Sequence, residues 1–465
     1  MRIVKKENEA IEKTLNEQCI GQGDTVRFAT WCVAVPAIYG DILLFNVLTR
    51  ELVLMEKDES RFLCLSDLSS SDIQSIQGSV LYDYLYKHWF LVPEIMNDHR
   101  LVDEVRAVMA CIDVSDGIRE YTILTTTDCN ARCFYCFEHG MEKVNMTCDT
   151  AFDIVEYIKK TAGKKVTLRW FGGEPLFNAS VIDLITEELR NAGIDFQSEM
   201  VSNGYLVTDS IVNKAIELWN LQRIQITLDG TEEIYNRRKA YVYSVGSAFR
   251  RVLENINKLL TAGIIVHVRL NLDMDNVGDL YKLCDLLVER FSSYEKFEVY
   301  VYYILEKNSA SPRGYSFDDT FGELKKLKGY LNEKGLTRRS KVGGAIKVNQ
   351  CMADTDSSIV ISPTGELFKC LNITDSTKSC GTIYTGVQKQ EKIEYWRKPA
   401  KNGEICEKCQ LYAECIRIAA CQSHYEYCSQ AVYEDRIDKL KDSVLYTYEQ
   451  ESVGKNSAEE KLENT

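Results

Sequence analysis

Histidine is scarce in this chain, with five in 465 residues. That count argues against the common zinc and iron centres built mainly from imidazole ligands. Positive charge is also in short supply: 56 Lys and Arg face 69 Asp and Glu, for a formal net charge of −13. A nucleic-acid binder displaces counterions with a basic stripe, and this sequence has none. No apolar run approaches the ~20 residues that a membrane-spanning helix needs. The N-terminus, MRIVKKENEAIEK, lacks the apolar core of a signal peptide. These absences predict a cytoplasmic protein with neither a nucleic-acid nor a membrane partner. A hydrophobic fraction of 45% and a charged fraction of 27% are those of a soluble globular protein. The length exceeds one ordinary core and predicts two to four domains.

Cysteine is abundant, with 17 residues. The cytosol keeps thiols reduced, so a disulfide framework is not expected. Cys19, Cys32, Cys64, Cys111, Cys148 and Cys284 are scattered and read as small buried apolar residues. The rest are clustered: three between Cys129 and Cys136, and eight between Cys351 and Cys428. Iron–sulfur clusters are the better sink for such grouped thiols.

The first group is Cys129-x3-Cys133-x2-Cys136 in the run TDCNARCFYC. It offers three thiolates where a cubane cluster wants four, which leaves one iron open to a small molecule. Half of a zinc site or a redox pair is the plainer reading of a Cys-x2-Cys step. The triplet follows Tyr121–Thr127, a β-branched and aromatic run that reads as a buried strand. Active sites of barrel and open α/β folds lie at such strand ends. A second strand, Val166–Phe171, runs into Gly172-Gly173-Glu174-Pro175. Two glycines let the backbone approach a ligand closely, and the Glu174 carboxylate could meet an ammonium group. The alternative is an ordinary strand-to-helix turn.

From Tyr121 to about Lys334 strand and helix patterns alternate six times. The strands read as Tyr121–Thr127, Val166–Phe171, Phe196–Ser202, Gln222–Leu228, Ile264–Leu270 and Lys296–Ile304. Helical stretches at Thr147–Ala162, Ala179–Ala192, Ser247–Ala262 and Asn276–Arg290 lie between them. Such alternation predicts a parallel sheet with right-handed crossovers. Six units are too few to close an eight-stranded barrel.

The cysteine triplet, Tyr135 before its last member, the GGEP element and the six β/α units together resemble the radical SAM superfamily. The resemblance implies an α/β fold: a partial (β/α)6 TIM-type barrel over residues 116–335, open on one side. It implies a 4Fe–4S cluster on Cys129, Cys133 and Cys136 whose open iron chelates S-adenosylmethionine (SAM). Reductive cleavage then yields a 5′-deoxyadenosyl radical. Tyr135 would lie against the adenine, and Gly172, Gly173 and Glu174 would bind the amino group. Ser202 and Asn203 would contact the ribose or carboxylate region, with Asn271 just past strand five. Arg237, Arg238 and Lys239 compete for the SAM carboxylate, with Arg238 as the candidate. Each polar strand-end residue also reads as a turn former or helix cap.

The second cysteine group starts with Cys351 and a Gly365-x4-Cys370 element on a hairpin, Ser357–Ile361 with Glu366–Cys370. Cys406-x2-Cys409-x5-Cys415, Cys421 and Cys428 follow. This resembles the SPASM extension of peptide-modifying radical SAM enzymes, placed here at residues 336–430. The resemblance implies two auxiliary 4Fe–4S clusters: one on Cys351, Cys370 and Cys421, the other on Cys406, Cys409, Cys415 and Cys428. The spacing from Cys415 to Cys421 is longer than the family's. Cys380 could fill the remaining site or be a bystander. Without the upstream triplet, Cys406, Cys409 and Cys415 would read as a zinc knuckle.

Residues 1–115 form a separate α+β module, with a hairpin of Asp41–Asn46 and Glu51–Met55 and helical stretches around Leu81–Phe90 and Leu101–Cys111. Its resemblance to modules that grip leader peptides by strand addition implies that role; a cap over the open barrel edge is the alternative. Residues 431–465 read as a helix and an acidic tail, disordered after about Tyr446.

The function implied is maturation of a ribosomally made precursor peptide with a leader segment, by a Cys thioether to carbon. A flavodoxin or ferredoxin would supply single electrons. An anaerobic sulfatase maturase, forming formylglycine, is the rival; its base, an Asp after the Gly-x4-Cys cysteine, is replaced here by Leu371 and Asn372. A non-catalytic zinc or iron–sulfur interaction protein would leave the GGEP element unexplained.

Overall fold

The computed structural model describes residues 1–16, 25–112, 116–136, 138, 140–243, 246–304, 317–346, 348–349, 351–372, 376–398, 404–415, 418, 421 and 428–463. Cys19 lies outside them. The chain divides into two compact units: residues 1–114 with 339–350 and 399–465, and residues 115–338 with 351–398.

The first unit contains β1 (Arg2–Lys5), β2 (Val26–Phe28), β3 (Cys32–Pro36), β4 (Ile42–Asn46), β5 (Leu52–Met55) and β6 (Leu91–Pro93). Four of them form a sheet in the order β1-β5-β4-β3, and β2 pairs with β6. β4 and β5 are buried throughout. The β4–β5 turn is tied by the Asn46 carboxamide, whose oxygen accepts from the Leu48 and Thr49 amides at 3.0 and 2.9 Å. The sequence offered this hairpin as an edge for strand addition. It is interior: β1 covers β5 and β3 covers β4. Among the described residues, the terminal strands of this sheet are β1 and β3.

Helices Val80–Lys87 and Asp98–Ile112 match the aromatic and periodic stretches read from the sequence. Gln430–Glu463 is helical, where the polar composition predicted disorder from about Tyr446. Its Ala, Glu, Lys and Leu content is that of good helix formers. Arg50 is buried and ion-paired to Glu414, with its guanidinium over the Phe45 ring. Replacing Arg50 with Met leaves the half-buried Glu414 without its cation and the Val47 and Gly343 carbonyls without their donor, and this should cost about 1–3 kcal/mol. A lowered thermal midpoint with unchanged metal content checks it.

The second unit is built on β7 (Ile118–Thr126), β8 (Ala162–Gly172), β9 (Phe196–Ser202), β10 (Leu221–Leu228), β11 (Ile265–Leu272) and β12 (Phe297–Tyr303). They lie in sequential order and every neighbouring pair is parallel. Helices between them bury apolar stripes, such as Ile154 and Ile158 in Cys148–Thr161 and Val252, Ile256 and Leu259 in Ala248–Thr261. Thr147, Thr208 and Ser247 cap three of these helices through their side-chain oxygens. The expected open parallel arrangement of six β/α units is what the chain adopts.

β13 (Ser358–Ile361) extends the sheet beyond β7 in parallel, and β14 (Glu366–Phe368) folds back on β13 as the expected hairpin. β15 (Gly381–Thr382) and β16 (Gly386–Val387) finish that edge. Among the described residues, no helix is long and apolar enough to cross a membrane.

Candidate active site

The C-terminal ends of β7 to β11 bring the expected residues together. The cysteine loop leaves β7, and the GGEP loop leaves β8 directly against it. The Gly173 amide donates to Thr126 O at 3.0 Å and the Glu174 amide to Asp128 O at 3.0 Å. A Cβ on Gly172 would lie 2.1 Å from Thr126 O, and one on Gly173 2.2 Å from Asp128 O. The sequence assigned both glycines to a ligand's approach. What they permit here is contact between two strand-end loops, with no space for a side chain between them. Gly172 also has φ 116°, in the region that favours glycine.

Glu174 is fully buried. It accepts from the Leu176 amide at 3.1 Å, the Ser202 hydroxyl at 2.8 Å and the Asn203 amide at 2.8 Å. Burial pushes its carboxyl up to about 7, against these three bonds, which favour the charged form. The carboxylate therefore clamps the end of β9 to the GGEP loop, and it retains acceptor capacity for one further donor. Asn203 carries the chain of contacts on, donating to Asn130 Oδ1 at 2.7 Å with Cys129 Sγ 3.7 Å away. Asn130, between the first two cysteines, was not singled out by the sequence. It is fully buried, and its side-chain nitrogen has no hydrogen-bond partner among the described residues.

Tyr135 enters a second buried network at the ends of β10 and β11. Its hydroxyl donates to Asp229 and accepts from Lys239 Nζ at 2.8 Å and Asn271 Nδ2 at 3.2 Å. Lys239 also donates to Thr227 at 2.7 Å and lies 3.5 Å from Asp229. Burial alone would lower the lysine's affinity for its proton. The charges of Asp229 and then Cys133 outweigh it and hold the ammonium above its ordinary range. Asn271 donates to the other Asp229 oxygen at 2.9 Å. It sits within β11, which runs to Leu272, and not past the strand's end as expected.

The three competing basic residues separate clearly. Arg237 is exposed. Arg238 is buried, pairs with Asp273 at 2.7 Å and lies over the Phe134 ring at 4.9 Å and the Tyr135 ring at 5.9 Å. Lys239 belongs to the Asp229 network. Replacing Lys239 with Met leaves Asp229 buried without its cation and should cost about 3–5 kcal/mol. The thermal midpoint of the variant measures it, and an unchanged midpoint would show that the pair is dispensable.

The donor set suits a positively charged inorganic group. Burial pushes the Cys129 thiol up to about 12, with Glu174 and the other two cysteines adding to the effect, and burial also raises Cys136. Burial thus disfavours the thiolate at Cys129 and at Cys136, and bound iron would reverse that balance. The unpartnered Asn130 nitrogen is a further polar group available beside the loop.

The C-terminal cysteines fall in both units. Cys351, Cys370 and Cys380 belong to the barrel unit. Cys351 is exposed and Cys370 half-buried, whereas Cys380 is 1% exposed and its thiol donates to Leu367 O at 3.3 Å. Cys406, Cys409, Cys415, Cys421 and Cys428 belong to the other unit. Burial pushes Cys409 up to about 11, with Cys415, Cys406 and Cys428 close enough to contribute. Of the scattered cysteines, Cys32 and Cys284 are buried as expected, but Cys111 and Cys148 are exposed. Both occupy helices, where periodicity alone did not reveal which face they take.

The sequence profile of the radical SAM superfamily matches residues 123–287. The radical SAM cyclopropyl synthase TigE of Paramaledivibacter caminithermalis is 20% identical over 336 residues, covering 65% of this chain and 68% of that protein. A GTP 3′,8-cyclase of Clostridium perfringens is 24% identical over 315 residues, covering 61% of this chain and 91% of its own. Among solved structures, native anSMEcpe with bound AdoMet and Cp18Cys peptide shares the fold. Its TM-score is 0.56 at 16% identity, over 72% of this chain and 99% of that one. With its three-cysteine loop joined to GGEP at the strand ends, this chain carries a region, residues 123–287, that matches the radical SAM superfamily, and its fold is similar to that of anSMEcpe.

Proposed function

We propose that this enzyme matures a ribosomally made peptide by oxidative cross-linking of a cysteine sulfur to a carbon. The observation that carries the reading is the junction of the cysteine loop, the GGEP loop and the end of β9 at the C-terminal ends of the neighbouring parallel strands β7, β8 and β9. Cys129, Cys133 and Cys136 would hold the 4Fe–4S cluster, and Glu174, Ser202, Asn203, Asn271 and Arg238 would surround SAM. Cluster and SAM together supply a one-electron reductive cleavage that generates a carbon radical able to take a hydrogen atom from substrate. Cys406, Cys409, Cys415 and Cys428 would hold one auxiliary cluster and Cys351, Cys370 and Cys421 another, about twelve irons in all.

The chain's own residues orient and shield this chemistry. The Asp229–Lys239–Asn271 network fixes the Tyr135 hydroxyl, leaving its ring to face a ligand. Arg238, desolvated and stacked on aromatic rings, presents a fixed cation suited to a carboxylate. A peptide substrate is favoured by the shared fold with anSMEcpe, whose structure holds bound AdoMet and the Cp18Cys peptide. The module of residues 1–115 would take the leader segment, on the outer edge of β1 or β3 rather than on the interior hairpin.

The reaction is a two-electron oxidation. A C–H and an S–H bond break and a C–S bond forms; one hydrogen leaves with 5′-deoxyadenosine, and one proton and one electron leave separately. Each link should make the product about 2 Da lighter. Mass recovered on thiol reduction would indicate a disulfide, and an aldehyde would indicate formylglycine; either overturns the thioether. Deleting residues 1–115 should abolish precursor binding, and undiminished binding would remove the leader role. The similarity to GTP 3′,8-cyclases supports a second reading, a nucleotide substrate. Consumption of GTP with SAM and dithionite, in the absence of any peptide, would establish it.

A further inference from the structure

His88 lies between two carboxylates in the N-terminal unit, outside the site described above. Its Nδ1 is 3.0 Å from Glu7 Oε2 and 3.1 Å from Glu51 Oε2. One imidazole N–H can donate to only one of them. The other Glu51 oxygen is already satisfied by the Tyr84 hydroxyl, while Oε2 is buried and, among the described residues, has no hydrogen-bond partner of its own. The Glu51 side chain is 2% exposed, so water does not screen the repulsion between the two acids. Glu12 adds further negative charge nearby. The three donor atoms lie within 4.8 Å of one another.

We propose that Glu7, Glu51 and His88 form a binding site for a divalent transition cation that staples the N-terminal module. Two carboxylates and one imidazole are a hard to borderline donor set, suited to Mn2+, Fe2+ or Zn2+. The observed N···O separations match the edge of an octahedron with bonds of ~2.1 Å, which is about 3.0 Å. A cation neutralises both acids and accepts the Nδ1 lone pair, removing the competition for one proton.

The site is held in shape by contacts that do not involve a cation. Tyr84 stacks on the His88 ring, with centroids 4.0 Å apart. The Asn46 carboxamide nitrogen donates to His88 O at 3.2 Å and Trp89 O at 3.0 Å, while its oxygen ties the turn that precedes Glu51. The Asn8 amide donates to Thr49 O at 2.8 Å, fixing the segment that carries Glu7. Three separate stretches of chain thus present their ligands from a prepared frame, and the ion would lock them together.

The test is a Mn2+ titration of cluster-loaded enzyme followed by electron paramagnetic resonance of free Mn2+, a cation that favours oxygen and nitrogen over thiolate. Wild type should bind one tight equivalent, displaced by Zn2+, with a raised thermal midpoint. His88→Gln and Glu51→Gln should lose that equivalent. Glu7→Gln, at the rim of the site, should weaken it roughly tenfold or more while cleaving SAM normally, which reports an intact fold. No tight equivalent in wild type, or equal binding by all four proteins, overturns the site and leaves a protonated His88 shared between two acids.

Discussion

Alanine at Cys129, Cys133 and Cys136 together should reduce 5′-deoxyadenosine release to background. Wild-type enzyme, reconstituted without oxygen and given dithionite and SAM, should release it. These thiols leave β7 in a single loop, and the half-buried Tyr135 next to the last of them is locked to Asp229, Lys239 and Asn271. Removing the thiols removes the sulfur ligands the loop offers, whereas the hydrogen bonds of the neighbouring network run between Tyr135, Asp229, Lys239 and Asn271. The variant should therefore stay folded and keep about two-thirds of its iron, the share of the two auxiliary clusters. Equal 5′-deoxyadenosine from both proteins would overturn the assignment of this loop. A wild-type preparation with zinc and negligible iron would move the C-terminal cysteines to the knuckle reading.

Gly173→Ala should abolish SAM cleavage nearly as completely. The added methyl would stand 2.2 Å from Asp128 O and 2.6 Å from Asp128 C. These are backbone atoms of the cysteine loop, one residue before Cys129, and no side-chain rotation relieves the contact. The hydrogen bonds from Gly173 and Glu174 to Thr126 O and Asp128 O must lengthen or break. Glu174 would then carry the end of β9 with it through Ser202 and Asn203. Iron should fall by about a third as the first cluster fails to assemble. Gly329→Ala is the control: it lies in the helix Phe317–Glu333 with no atom within 4 Å of a new Cβ. That change should leave iron and activity unaltered and favour the helix by about 1 kcal/mol. Wild-type iron and turnover in Gly173→Ala would mean that the two loops are not interdependent.

The chemistry was legible in local sequence because its signals are local. A run of three cysteines states its own ligand count, and GGEP follows a strand that its β-branched residues declare. The six β/α units were readable because helix and strand burial each impose a period on the chain, and all six parallel strands lie within a few residues of their expected limits. The hairpins at Ile42–Met55 and Ser358–Phe368 were equally local.

Tertiary structure decided whatever depends on which strand end faces which. Gly172 and Gly173 serve loop-to-loop packing because the GGEP loop meets the carbonyls of Thr126 and Asp128, some 45 residues earlier in the chain. The roles of Arg238 and Lys239, adjacent in sequence, diverge because one helix turn aims them at acids from different strands, Asp273 and Asp229. The hairpin offered as a docking edge is interior because β1 and β3 arrive from distant sequence to pair with it. Cys380 is enclosed by a strand pairing with Leu367 that its position in the sequence does not announce. Composition and periodicity determine what each segment can bury and which atoms it can offer. Only the folded chain brings together buried groups that each lack a partner, and desolvation makes those meetings the strongest interactions in the molecule.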